Sequence, residues 1–184
     1  MKLRQLALSA CLAALFSSAA IASAEERIYI NENMGFNVEG YKYEQEAYPC
    51  NIDKVLVEQI IERGRKNNLQ IEAVSTADKI NNGTIPVIAI DFDALVLGSE
   101  EYTYGTKSNS NLPSVRVTAA LISPQLEQGH SIAAHSCAIA HLSDLTPASS
   151  VLDLGTTHTV CSATHRCLRD LSKDIVEWVA PQVQ

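Results

Sequence analysis

Two aspartates and two histidines are the side chains in this sequence best spaced to do chemistry. Asp91 and Asp93 lie two apart in the apolar run 85–97, and His135 and His141 lie six apart in the run 130–142. In an extended strand, residues separated by an even number share a face. Each pair would therefore project together. Two imidazoles beside two carboxylates can hold a divalent cation, or supply a general base oriented by an acid. Arg116 and Thr118, in the run 114–123, fall on the same side by the same alternation. The plainer reading is a solvated face with a cross-strand Asp–Arg pair, which contributes from a few tenths to about 1 kcal/mol when exposed.

Cysteine chemistry is the second possibility. Beyond Cys11 the chain carries Cys50, Cys137, Cys161 and Cys167. An even number in an exported chain reads as two disulfides, with three possible pairings. On one continuous helix Cys161 and Cys167 would stand roughly 9 Å apart at ~1.5 Å rise per residue, too far to bond. They pair only if Cys161 precedes the helix and the chain curls back. Otherwise each bonds a sequence-distant partner, and closing a loop of about a hundred residues contributes on the order of 4–5 kcal/mol in the chain-entropy model. Cys137, His141, Cys161 and His165 share four-residue offsets that suit zinc, but zinc needs reduced thiolates. There is no Cys-x-x-Cys pair, so thioredoxin-like exchange has no motif.

The compartment follows from residues 1–24. Lys2 and Arg4 precede an apolar run that closes on Ala22-Ser23-Ala24. This is the pattern of a secretory signal with cleavage after Ala24, giving a periplasmic or secreted protein. Leu8-Ser9-Ala10-Cys11 resembles a lipobox, but apolar sequence continues past it, where a lipobox should end. No later stretch approaches the ~20 apolar residues of a membrane span. Removing the signal takes away two bases and no acid, moving the formal charge from −7 to −9. Such a balance argues against nucleic acid as a partner and against anionic lipid. No Gly-x-Ser-x-Gly, His-Glu-x-x-His, phosphate loop or dinucleotide fingerprint is present. No cofactor is implied, and the chain reads more readily as a non-enzyme.

These residues need a scaffold. Residues 27–31 read as a strand. They are followed by a polar segment in which Tyr41, Tyr43 and Tyr48 either pack the loop down or form an aromatic rim. Asn51 suits an N-cap, and Ile52, Leu56 and Ile60 set the stripe of a helix over 52–67. Strands are expected at 69–74, 85–97, 114–123 and 130–142, with a short helical turn near Thr76. Regular alternation over 85–97 puts Ile88, Ile90, Phe92, Ala94 and Val96 inward. The connection 98–113 would carry Tyr102 and Tyr104 near its tip, as loop binding candidates. A final helix follows Cys161, with Leu168, Leu171, Ile175 and Trp178 inward and Pro181 at its end.

The order is β-α-β-β-β-β-α. It implies a single α+β domain over 25–184: a two-layer sandwich with a mixed, mostly antiparallel sheet of about five strands and two main helices on one face. In topology it resembles small periplasmic α+β domains of envelope accessory proteins. In the last strand, the alanine-rich side suits helix packing, so His135 and His141 are expected on the open face beside the aspartates. A Cys137–Cys167 bond, or a one-residue bulge, would reverse this. The expected function is an exported, non-enzymatic accessory or binding module contacting an envelope protein or small ligand. The alternative is metal binding or metal-assisted hydrolysis through Asp91, Asp93, His135 and His141.

Overall fold

The computed structural model describes residues 26–37, 48–96, 113–139 and 157–183. The cleavage site, Cys11, Tyr41, Tyr43, Tyr102, Tyr104 and His141 lie outside them. In chain order the elements are β1 (Glu26–Asn31), β2 (Gly35–Phe36), a 3-10 turn (Pro49–Asn51), α1 (Ile52–Lys66), β3 (Leu69–Val74), the single-turn α2 (Ala77–Ile80), β4 (Val87–Val96), β5 (Ser114–Ile122), β6 (His130–Ala138) and α3 (Thr157–Val183).

The sheet runs β3-β1-β4-β5-β6, with β2 beside β4 off this path. β1 is parallel to β3 and to β4, and β4, β5 and β6 form an antiparallel meander. α1 and α3 pack side by side over one face, giving the α+β sandwich with an open sheet. The reason is alternation meeting helical periodicity. Ile28, Ile30, Ile88, Ile90, Phe92, Val117 and Leu121 point to that face from the strands. Ile52, Leu56, Ile60, Leu168, Leu171 and Ile175 meet them from the helices. Each such side chain contributes about 1.5–3 kcal/mol by leaving water. Gly64 lets α1 approach β3, since a Cβ there would run into the Ile71 side chain.

Tyr48 closes one end of the core. Its hydroxyl donates to the Met34 carbonyl, and its ring lies 5.6 Å from Phe36 and 6.0 Å from Phe92. Burial raises its phenol above the ordinary value, with Asp53 and Asp91 adding to the shift.

Two disulfides tie α3 to the rest. Cys50 bonds Cys161, linking the start of α1 to α3, and Cys137 bonds Cys167, linking β6 to α3. Cys161 lies inside α3 rather than before it, because the helix begins at Thr157. Six residues apart on one helix, the two α3 cysteines point in different directions and reach different elements. Pro181 sits within the last turns of α3 instead of ending it.

Three local expectations give way. Asn51 makes no side-chain cap, because Cys50 and Asn51 both adopt left-handed backbone conformations (φ 56° and 50°) where the chain turns into α1 beside α3. In β4 the register shifts between Phe92 and Ala94, which leaves Asp93 as the extra residue of a bulge. Past it, Leu95 is buried and Val96 is 42% exposed, the reverse of regular alternation. In β6, the bond to Cys167 draws Cys137 toward α3, and His135 turns inward with it. The alanine-rich side faces out. A covalent bond overrides the packing preference of small side chains.

Candidate functional site

At the β1–β3 end, the side of the sheet away from the long helices is partly capped. Tyr29, Val74 and Val87 form a small cluster there with Ile80 and Ile85. Arg27 and Lys79 lie over the Tyr29 ring, at 5.3 and 5.7 Å, and both bond Glu72, at 2.5 and 2.8 Å. The two cations hold the Glu72 carboxyl below its ordinary range, Lys79 more than Arg27. The cluster is satisfied by its own members.

Across β4, β5 and β6 no described element covers the same face, and strand register sets its rows. Asp91 pairs Thr118, which pairs Ala134; Ala89 pairs Ala120, which pairs Ile132; Val87 pairs Ile122, which pairs His130. The next row joins Ala94, Arg116 and Ser136. A polar centre therefore adjoins an apolar end. Asp93, thrown out by the bulge, accepts a 2.7 Å hydrogen bond from the Thr118 hydroxyl. This replaces the expected Asp–Arg pair, because the bulge steers the Asp93 carboxylate to Thr118. Asp91 stands over Gly35, where any Cβ would overlap its carboxylate. Arg116 is exposed and makes no ion pair with any described residue. At the apolar end Ile122 is 45% and Ile132 61% exposed. These two isoleucines were not singled out from sequence; the cysteine pairing that turns His135 inward is what puts Ile132 in water.

His135 belongs to the opposite face. Its ring packs edge-on against Trp178 at 5.4 Å, and its Nε2 is buried without a hydrogen-bond partner among the described residues. Burial lowers its pKa below 6.5, with Asp174 opposing in part. The sheet thus separates His135 from Asp91 and Asp93, so His135 does not share their face, while His141 lies outside the described residues. The zinc set does not form. Cys137 and Cys161 are oxidised, and a His165 ring nitrogen lies 2.7 Å from the Cys50 carbonyl. Among the described residues no group of three or more His, Cys, Asp or Glu side chains is placed to hold a metal.

Fold and site together define a disulfide-clamped two-layer α+β protein in which no described element covers the outer face of β4–β6. No helix among the described residues is long and apolar enough to cross a membrane. No family model and no curated protein matches the sequence. Among solved structures, it is similar to a Xanthomonas campestris protein of the DUF330 family, with 15% identity over 88% of this chain and 90% of that one and a TM-score of 0.46. It is also similar to PelC from Paraburkholderia phytofirmans, a dodecamer (11%, 82% and 89%, 0.42), and to a minor lipoprotein from Acinetobacter baumannii (10%, 84% and 93%, 0.41).

Proposed function

We propose that the protein is an exported, non-enzymatic accessory or binding module of the cell envelope, and that the bare face of β4–β6 docks a protein partner. Export is supported by the signal-like residues 1–24 and by two disulfides, which persist in oxidising compartments. The docking reading rests on one observation: Ile122 and Ile132 stand in water beside the polar group Asp91, Asp93, Arg116 and Thr118. Exposed apolar side chains bordered by hydrogen-bonding groups are how protein interfaces are composed. Isoleucines standing in water on a sheet surface suit a protein partner better than a small ligand, which needs an apolar concavity. The partner would place apolar side chains on the isoleucines and an acid or acceptor opposite Arg116.

The test is site-specific photo-crosslinking in the producing cell. A photoreactive residue at Ala134, in the bare face, should capture a discrete envelope protein, and Ile132→Glu should abolish the capture. The same residue at Asp170, exposed on α3, should not capture it. No adduct from Ala134, or equal capture from both positions, would remove the docking face.

A further inference from the structure

On the helical layer, α1 and α3 leave a groove of about 370 Å³ between them. Its walls are Gln59, Glu62, Arg63 and Lys66 of α1 and Arg169 and Ser172 of α3. The α1 residues recur at intervals of three and four, so they form one stripe. Three cations here surround one carboxylate. Lys66 donates to Glu62 at 2.6 Å, and Lys66, Arg63 and Arg169 together hold the Glu62 carboxyl below its ordinary range. Neither arginine makes an ion pair with any described residue. Two positive charges are therefore left over, in a chain whose formal charge is −7. The frame is fixed: Gln59 Nε2 donates to the His165 carbonyl at 3.2 Å, and Ser172 Oγ to the Arg169 carbonyl at 2.8 Å. Gln59 Oε1 is buried and accepts no hydrogen bond from the described residues.

We propose that this groove binds a small dianion of the phosphate or phosphomonoester class. Two guanidinium forks, one on each helix, match the oxygens of such a group, and their charge equals its own. Gln59 Oε1 supplies an acceptor for a protonated oxygen or an adjoining hydroxyl. The site lies on the opposite layer from the docking face, so the two stand or fall separately. A soluble phosphomonoester and the phosphomonoester headgroup of phosphatidic acid carry the same chemistry.

The full mature protein is titrated with inorganic phosphate and followed by NMR, against chloride at equal ionic strength. It is also sedimented with vesicles of phosphatidylcholine alone and of phosphatidylcholine containing phosphatidic acid. The Gln59 side-chain amide should shift with phosphate. Arg63→Gln and Arg169→Gln should each weaken the response about two- to five-fold, as expected for losing one partly exposed charge contact. The double variant should weaken it roughly ten-fold if the two add. Arg65→Gln, on α1 outside the groove, should leave it unchanged. The substituted side chains are not core residues, and unaltered thermal melts would show that the variants fold. Phosphatidic acid binding that needs the same arginines, without a response to free phosphate, assigns the groove to a headgroup. A free-phosphate response assigns it to soluble ligands. No response in either arm, equal sensitivity to Arg65→Gln, or an equal effect of chloride would overturn the site.

Discussion

The two faces of β4–β5–β6 are built from the same strands and obey opposite rules. Toward the helices, alternate positions carry Ile88, Ile90, Phe92, Val117, Ala119 and Leu121, none more than 2% exposed. Toward the open side the intervening positions carry Ala89, Asp91, Arg116, Thr118, Ala120, Ile122 and Ile132. The covered face selects volume and shape, because interiors pack densely. The bare face tolerates any residue that water tolerates, and there a 61% exposed isoleucine is the exception. Large apolar groups on the first face explain stability. On the second, Ile122 and Ile132 remain exposed to water, and that is the ground for the proposed partner.

Breaking the covered face should therefore have the largest effect. Phe92 is fully buried between Tyr48 and Phe36 and the helices. Phe92→Ala should cost about 3–5 kcal/mol, read as a lower urea midpoint at unchanged m value. A loss below about 1 kcal/mol would mean that this face is not the packed core.

The clamp between sheet and helix comes next. Replacing Cys137 and Cys167 together by serine opens a bond spanning 30 residues. The chain-entropy model gives about 3–4 kcal/mol for a loop of that length. Amide exchange should accelerate most in β6 and the adjoining part of α3. Uniform acceleration across the sheet would show that the bond does not locally hold the last strand.

These elements also show what could be read from residues alone. The alternation of 114–122 and the stripe of α1 were legible, because burial imposes a period that no other term disturbs. The bulge at Asp93 was not, since no glycine or proline marks it and only the pairing with β5 reveals it. The orientation of His135 hung on one of three cysteine pairings, a long-range choice that local pattern cannot make. The α1–α3 groove escaped for a similar reason. Arg63 and Arg169 are far apart in sequence, and a net negative charge averages away a local positive cluster.

Acid should then separate the faces through His135. Its pKa is lowered in the folded state by burial, so between the folded value and 6.5 the unfolded chain binds more protons. The stabilisation from the neutral ring is complete above 6.5 and is lost as pH falls from there through the folded value. The stabilisation from Glu62 and Glu72, whose carboxyls are also depressed, is complete above their ordinary 4.5 and is lost only below it, outside this window. Melting temperature should therefore fall between pH 7.5 and pH 5, and His135→Phe should flatten that slope. A slope unchanged in the variant would place the titrating group elsewhere.

The smallest effect on stability belongs to the bare face, and it is the most informative for function. Ile132→Ser removes a side chain that is mostly in water, so unfolding free energy should change by no more than about 0.5 kcal/mol. If Ile132 is the apolar anchor of a partner, the same substitution should weaken capture ten-fold or more, on the order of 1.4 kcal/mol. Ala120→Ser, one strand over in the same row, should weaken it less, because an alanine buries little area. A substitution silent in the melt and large in binding is the signature of a residue kept for a partner. If Ile132→Ser instead destabilised the monomer as Phe92→Ala does, the face would already be covered by this chain itself, and the contrast between the two sides of the sheet would vanish.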